Sequence, residues 1–307
     1  MPGRRGLVKV AYWGNCRKSG VTCALTAIGL TAVLAYPFKI TLFENHYNEN
    51  GVLRYLSPRK WLYCVSEAVT AYGNSAYGNL SYTDCPPRFS GNFCETENYC
   101  ENKDFYIMGN PYRKKENRRG GGIQNAYPVI ELLEKGLYYV PQFTENADLY
   151  DYQFHFNLLP LLRRYQEIAF IDTHRENTLS SKVILEEADV VVVLLRQDMD
   201  EIQSFFQNYS SLIPKAFFII NDYQKKSAIN LTKIVSEFGF QNDSIGVIPH
   251  SEEFQLAAAY GRMIEYISSN YNTSEERENR YFMQELKKTT FLLMQQVVFN
   301  RELGEGF

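Results

Sequence analysis

Four unbroken apolar runs of strand length in the second half of the chain constrain its fold more than any other feature. They are "IAFIDT" (Ile168–Thr173), "ADVVVVLL" (Ala188–Leu195), "KAFFIIND" (Lys215–Asp222) and "SIGVIPH" (Ser244–His250). A strand with one wet face alternates apolar and polar residues, whereas a strand covered on both faces does not. Between the later runs lie amphipathic pieces of helix length, "DEIQSFFQNYSSLI" and "LTKIVSEFGF". This alternation predicts parallel strands joined by right-handed crossovers: an α/β, doubly wound, mostly parallel sheet with helices on both faces.

The N-terminal part repeats the unit. "LVKVAYW" (Leu7–Trp13) reads as a strand, and Thr22 to about Ala35, apolar and rich in small residues, as a buried helix. Pro37 ends that helix, and "FKITLFE" (Phe38–Glu44) resumes as a strand. From Tyr72 to Gln124 the pattern changes to a Gly-, Asn-, Tyr- and Pro-dense stretch with a repeated "AYGN", followed by "YRKKENRRGGG". A connection this long is uncommon in a compact domain unless it is functional or disordered. It reads as an insertion at about 72–125 in a single domain over 1–270, offering a surface to a protein partner. From Thr273, a capping box with Glu276 and apolar residues Phe282, Leu286, Leu293 and Val297 at helical spacing predict a long helix within 271–307. It is expected to pack on the domain's flank or on a partner.

Charge and cysteine content bound the function. With 32 basic and 35 acidic residues, the formal charge of -3 exerts no global pull toward nucleic acid. The basic run Arg113–Arg119 reads as a solvated segment, so a nucleic-acid partner is not favoured. No stretch is long and apolar enough to span a bilayer as a helix. The 6 cysteines all lie in the first third, and Cys64, Cys85, Cys94 and Cys100 lack the close pair of a zinc site. A cytoplasmic protein with free thiols is expected.

Between the first strand and the first helix lies "GNCRKSGVT" (Gly14–Thr22). Backbone N–H groups at a helix start, together with the helix dipole, favour bound phosphate and need no lysine to do so. Gly14 and Gly20 bracket the loop, and Thr22 stands where a hydroxyl reaches a magnesium ion. The loop departs from G-x-x-x-x-G-K-[ST]: Val21 fills the lysine position, and Gly14 lies one residue too far from Gly20. Three strand-end residues add weight. Asp172 closes "IAFID" where a carboxylate would hold magnesium through water, Asn221 closes "AFFIIN" where an amide can read a base edge, and Pro249 follows "SIGVI". Open parallel sheets bind ligands beyond the carboxyl ends of their strands.

In this order of landmarks the chain resembles the ParA/MinD branch of P-loop ATPases. It resembles most closely the atypical lysine-lacking members of the TadZ/CpaE group, which is linked to localising tight-adherence pilus machinery. The family loop K-G-G-x-G-K-T falls on Cys16–Thr22, and "LAAAYG" (Leu256–Gly261) matches the family's small residues before a glycine. The resemblance implies ATP and Mg2+ as cofactors, cradled by Gly14, Cys16, Arg17, Lys18, Ser19, Gly20, Val21, Thr22 and Cys23. It places Asn221 and Pro249 beside the base and the metal on Thr22 and Asp172. Asp172 and a second carboxylate, at Glu44 or Asn45, are the implied catalytic positions. Both family lysines are absent, at Cys16 and Val21, with Arg17 and Lys18 adjacent.

These substitutions imply nucleotide binding with slow or absent hydrolysis, in a homodimer that sandwiches two nucleotides. The expected role is a localisation or assembly scaffold for a pilus or secretion apparatus, recruited to a cell pole or membrane-associated machine. An active partition-type ATPase and a nucleotide-free interaction module remain as alternatives.

Overall fold

Nine strands form one sheet in the order β3-β4-β5-β2-β6-β1-β7-β8-β9. The computed structural model describes residues 7–16, 19–45, 51–56, 107–108, 129–133, 136–140, 167–173, 178–272 and 279–303. The strands are β1 (Val8–Gly14), β2 (Ile40–Asn45), β3 (Ile107–Met108), β4 (Val129–Leu133), β5 (Leu137–Val140), β6 (Ile168–Thr173), β7 (Val190–Arg196), β8 (Ala216–Tyr223) and β9 (Ile245–Pro249). From β5 to β9 every neighbouring pair is parallel. The two remaining strands, β3 and β4, add on in antiparallel fashion.

The helices are α1 (Val21–Ala35), α2 (Gly51–Leu56), α3 (Leu179–Glu187), α4 (Met199–Asn208), α5 (Leu231–Phe238), α6 (Glu252–Ala259), α7 (Met263–Asn270) and α8 (Arg280–Leu303). Alternate residues of each central strand serve opposite faces, as the pleat requires. Val190, Val192 and Leu194 join the core beneath α1 and α8, while Val191, Val193 and Leu195 join the core beneath α3 and α4. Both faces are dry, which is why "VVVVLL" shows no alternation. Helix α1 is buried without interruption from Ala24 to Val33, so its small residues serve close packing rather than a polar face.

The strand order positions the site. The chain passes from β1 to β2 on one side, fills the gap with β6, and then crosses to β7 on the other side of β1. The winding direction reverses at β1, and the crevice beyond its carboxyl end is where such sheets take ligands.

The expected C-terminal helix is present over Arg280–Leu303, with Phe282, Leu286, Leu293 and Val297 buried. It packs on β9 and α1. The Thr289 hydroxyl both accepts from Val247 N–H (2.9 Å) and donates to Val247 C=O (2.8 Å), claiming backbone groups of β9 at one edge of the described sheet. Gly246 makes room for this approach, since a Cβ there would lie 2.5 Å from Thr289 Oγ1. The capping pair Thr273 and Glu276 lies outside the described residues, as does the stretch 72–125 apart from β3.

Candidate nucleotide site at the carboxyl edge of the sheet

The loop between β1 and α1 folds back on its own strand. Gly20 takes the left-handed conformation (φ 83°) as the N-cap of α1, and no side chain caps that helix end. The first-turn N–H groups therefore keep the anion-binding character of a helix start. A Cβ at Gly14 would lie 2.0 Å from Ser19 Oγ, so the loop can seat Ser19 on the strand end only because Gly14 has no side chain. Ser19 is buried there. Val21, at the lysine position of the standard motif, packs partly buried against the core beneath α1.

Two strand ends grip this loop. The Thr22 hydroxyl donates to Asp172 Oδ2 at the end of β6. On the other side, Asn221 of β8 donates through Nδ2 to the Ser19 carbonyl at 2.8 Å. A Cβ at Gly20 would come within 2.3 Å of that same amide nitrogen. A loop glycine, a loop carbonyl and a residue more than 200 positions away thus form one contact. Asn221, read from sequence as a base-edge reader, stands beside the loop and braces it.

Glu44 closes β2 in register with Asp172 and is buried. Its two oxygens accept from Val52 N–H (3.0 Å) and from the Tyr139 hydroxyl. In this arrangement Glu44 anchors the start of α2 and the adjacent strand β5. Its neighbour Asn45 lies in register with Thr173 and donates to the Ser180 and Ser181 hydroxyls at the start of α3 (3.1 and 3.3 Å). Among the described residues, Asn45 Oδ1 has no hydrogen-bond partner.

Beyond β7, a third grip appears that sequence reasoning did not foresee. Glu201 of α4, 8% exposed, accepts from Arg196 backbone N–H (3.1 Å) and from Arg196 Nε (2.7 Å). Its backbone carbonyl accepts from the Asn15 amide (3.2 Å). Cys16 completes the group: burial, then the hydrogen bond to Glu201, push its thiol up to about 11. Asn15, Cys16, Arg196 and Glu201 line an open pocket of about 460 Å³ that continues along α4 to Tyr209. Cys23, one turn into α1, packs against the core, and burial raises its thiol to about 12.

Pro249 is buried at the end of β9. Just beyond it, the exposed His250 Nδ1 meets Asp222 Oδ1 at 2.7 Å, and the Gln255 amide donates to the same oxygen at 3.2 Å. Asp222 carries a left-handed φ of 56°, unusual for a residue with a side chain, and sits where the pairing of β8 with β9 shifts register between Asn221 and Tyr223. The structure therefore brings Gly14, Cys16, Ser19, Gly20, Val21, Thr22, Asp172 and Asn221 together at one edge. Arg17 and Lys18 lie outside the described residues, as do Cys64, Cys85, Cys94 and Cys100.

The donor set fits a magnesium-bound polyphosphate. Mg2+ is held by one or two protein oxygens and completes its shell with water and substrate phosphates, so Thr22 with Asp172 suffices on the protein side. No group of three His, Cys, Asp or Glu residues that could hold a metal occurs among the described residues. The bare Cα atoms of Gly14 and Gly20 let Ser19 and Asn221 close in on the loop, and the uncapped first-turn N–H groups of α1 supply the donors for a phosphate.

No protein-family model matches the sequence, nor does any curated protein. The fold is similar to that of several solved structures. The ParA family ATPase of Chlorobium tepidum aligns with a TM-score of 0.56 at 10% identity, over 94% of this chain and 98% of that one. The septum site-determining protein MinD of Pyrococcus horikoshii, complexed with Mg-ADP, aligns at 0.55 and 10% identity, over 96% and 98%. A chain of the MinC:MinD cell division protein complex of Aquifex aeolicus aligns at 0.52 and 11% identity, over 94% and 96%. The chain thus has the α/β fold of the ParA/MinD P-loop ATPases, as the apolar runs and strand-end landmarks predict. No described helix is long and apolar enough to cross a membrane.

Proposed function

We propose that this chain binds a nucleoside triphosphate with Mg2+ at the β1–α1 loop and uses the bound state as a switch for partner binding, with slow or absent hydrolysis. The observation that carries the reading is the Thr22–Asp172 contact at the mouth of an uncapped helix, beside a loop glycine held in the left-handed conformation. A hydroxyl and a carboxylate meeting at an uncapped helix start are the protein half of a magnesium–phosphate site. When bound, the metal neutralises charge on the outer phosphates. The protein's own part is to orient the phosphates on the α1 N–H groups, hold the loop with Asn221, and keep Asp172 in reach of the metal's water shell.

Weak turnover follows from what stands near the reacting end. Val21 is spent on packing, and Cys16 carries a protonated thiol in place of a cation. Loss of concentrated positive charge penalises the transition state more than the ground state, so binding outlives catalysis. Glu44 is buried and accepts two hydrogen bonds, which suits a positioning group better than a base that activates water. On this reading the protein is a nucleotide-dependent homodimer that recruits a pilus or secretion apparatus, with the 72–125 stretch as a partner surface.

Calorimetric titration with Mg-ATP tests the reading, alongside phosphate release and particle size with and without nucleotide. Binding that is lost in Asp172→Ala, with negligible phosphate release and a nucleotide-dependent change in size, is the expected result. Rapid release abolished by Asp172→Ala would instead establish a partition-type ATPase. Absence of binding would leave an interaction module that keeps the fold alone.

A further inference from the structure

We propose that Arg196 supplies the positive charge that the phosphate loop lacks at Cys16 and Val21. This inference rests on the loop being a nucleotide site and adds a residue that its motif does not contain. Arg196 ends β7, the strand paired with β1 on the side opposite β6, and lies in register with Asn221. Asn221 touches the loop at Ser19, and Cys16 of the same loop shares a pocket with Arg196. The guanidinium therefore stands beside the loop, on the flank where neither Thr22 nor Asp172 reaches.

Its present partner can release it. The side chain is 57% exposed, while that of Glu201 is 6% exposed. Arg196 is thus the solvent-facing member of the pair, able to change partner while Glu201 stays in place. If the guanidinium leaves, Glu201 Oε1 keeps the backbone N–H of Arg196, so the buried carboxylate is not stranded. The other two acids in the pocket are already compensated. Asp198 caps α4, accepting from Asp200 N–H (2.9 Å) and Glu201 N–H (3.2 Å), and Asp200 sits in the first turn where the helix dipole offsets its charge. An arriving polyphosphate offers the guanidinium a doubly charged, fork-matching acceptor in exchange for a single carboxylate.

The exchange is tested by titrating Mg-ATP into the wild-type protein and the Arg196→Gln, Arg196→Lys and Glu201→Gln variants. Arg196→Gln is expected to weaken Mg-ATP binding by roughly tenfold or more, the loss of one charge-assisted contact. Arg196→Lys falls between the two, because an ammonium keeps the charge and loses the fork. Glu201→Gln removes the competing carboxylate with little change of shape and is expected to tighten binding. Wild-type-like affinity in Arg196→Gln overturns the proposal and leaves the nucleotide reading standing. Absence of binding by the wild type overturns both. Weaker or unchanged binding in Glu201→Gln marks the pair as a structural brace and also overturns it. That arm decides alone if Arg196→Gln does not fold.

Discussion

The Thr22 hydroxyl donates to the Asp172 carboxylate, joining the first turn of α1 to the carboxyl end of β6 across 150 positions of sequence. Hydrogen bonds to charged groups contribute about 1.5–3 kcal/mol. Thr22→Val, which keeps the volume and removes the donor, is expected to lower stability toward the small end of that range, because Thr22 is only half-buried. The denaturant midpoint of the nucleotide-free protein measures this. The same variant should erase the difference between nucleotide affinities measured with Mg2+ and with a chelator, whereas a purely structural contact would leave that difference intact.

Gly20 combines two demands, a left-handed φ of 83° and a bare Cα facing the Asn221 amide. Gly20→Ala meets both at once, a left-handed penalty of about 1–2 kcal/mol and a contact that must open. A total loss of about 2 kcal/mol or more is expected from denaturant unfolding. Adding Asn221→Ser should recover the steric part and leave the backbone part. Strict additivity of the two single changes would show that the predicted contact does not exist.

Tyr139→Phe removes a hydroxyl donor from the buried Glu44 carboxylate near the end of β2. The expected cost is about 1–3 kcal/mol, the penalty for an under-satisfied buried group. The double variant Tyr139→Phe with Glu44→Gln should cost less than the sum of its parts, because a neutral amide tolerates the missing donor. Unfolding of the four proteins in the cycle measures the coupling.

Alkaline pH should weaken the fold through two partly buried thiols. Burial raises Cys23 to about 12, so the folded state holds its proton after an unfolded thiol, near 8.5, has lost its own. This contribution is complete below about pH 8.5 and declines as pH rises toward 12, by up to about 1.4 kcal/mol per pH unit for one proton. Cys16, raised to about 11, adds to the same limb from a less enclosed position. Stability measured between pH 8 and 10 should fall less steeply in Cys23→Ala than in the wild type; an unchanged slope would contradict the assignment.

The central strands were legible because burial on both faces leaves no polar residues to interrupt an apolar run. Ile168–Thr173 matches its predicted bounds, and the other three runs shift by one or two residues. Thr22 and Asp172 were legible as partners because strand ends and helix starts converge at a sheet's carboxyl edge. Arg196 obeys the same rule, closing "VVVVLL" as Asp172 closes "IAFI", yet it went unread because its contact with Cys16 depends on β7 lying beside β1. Strand order is a property of the whole chain and leaves no local mark. The β4–β5 pair did leave one: "VIELLEKGLYYV" sets two apolar runs around a Gly136 turn, with φ 101° at that glycine. The role of Asn221 as a brace was hidden for a different reason. An amide at a strand end serves a base or a backbone carbonyl equally well, and only the proximity of Gly20 decides which is in reach.

Helix α8 is the last of the described elements to be synthesised, and it is also the one that claims both backbone groups of Val247 on β9, an edge strand of the described sheet. During translation, β9 therefore emerges before the residue that seals it. A chain stalled or cleaved ahead of residue 280 would carry a complete loop and an unsealed border, open to pairing with any passing strand. The loop, its partners Asp172 and Asn221, and β9 itself are all made before the helix that guards this edge.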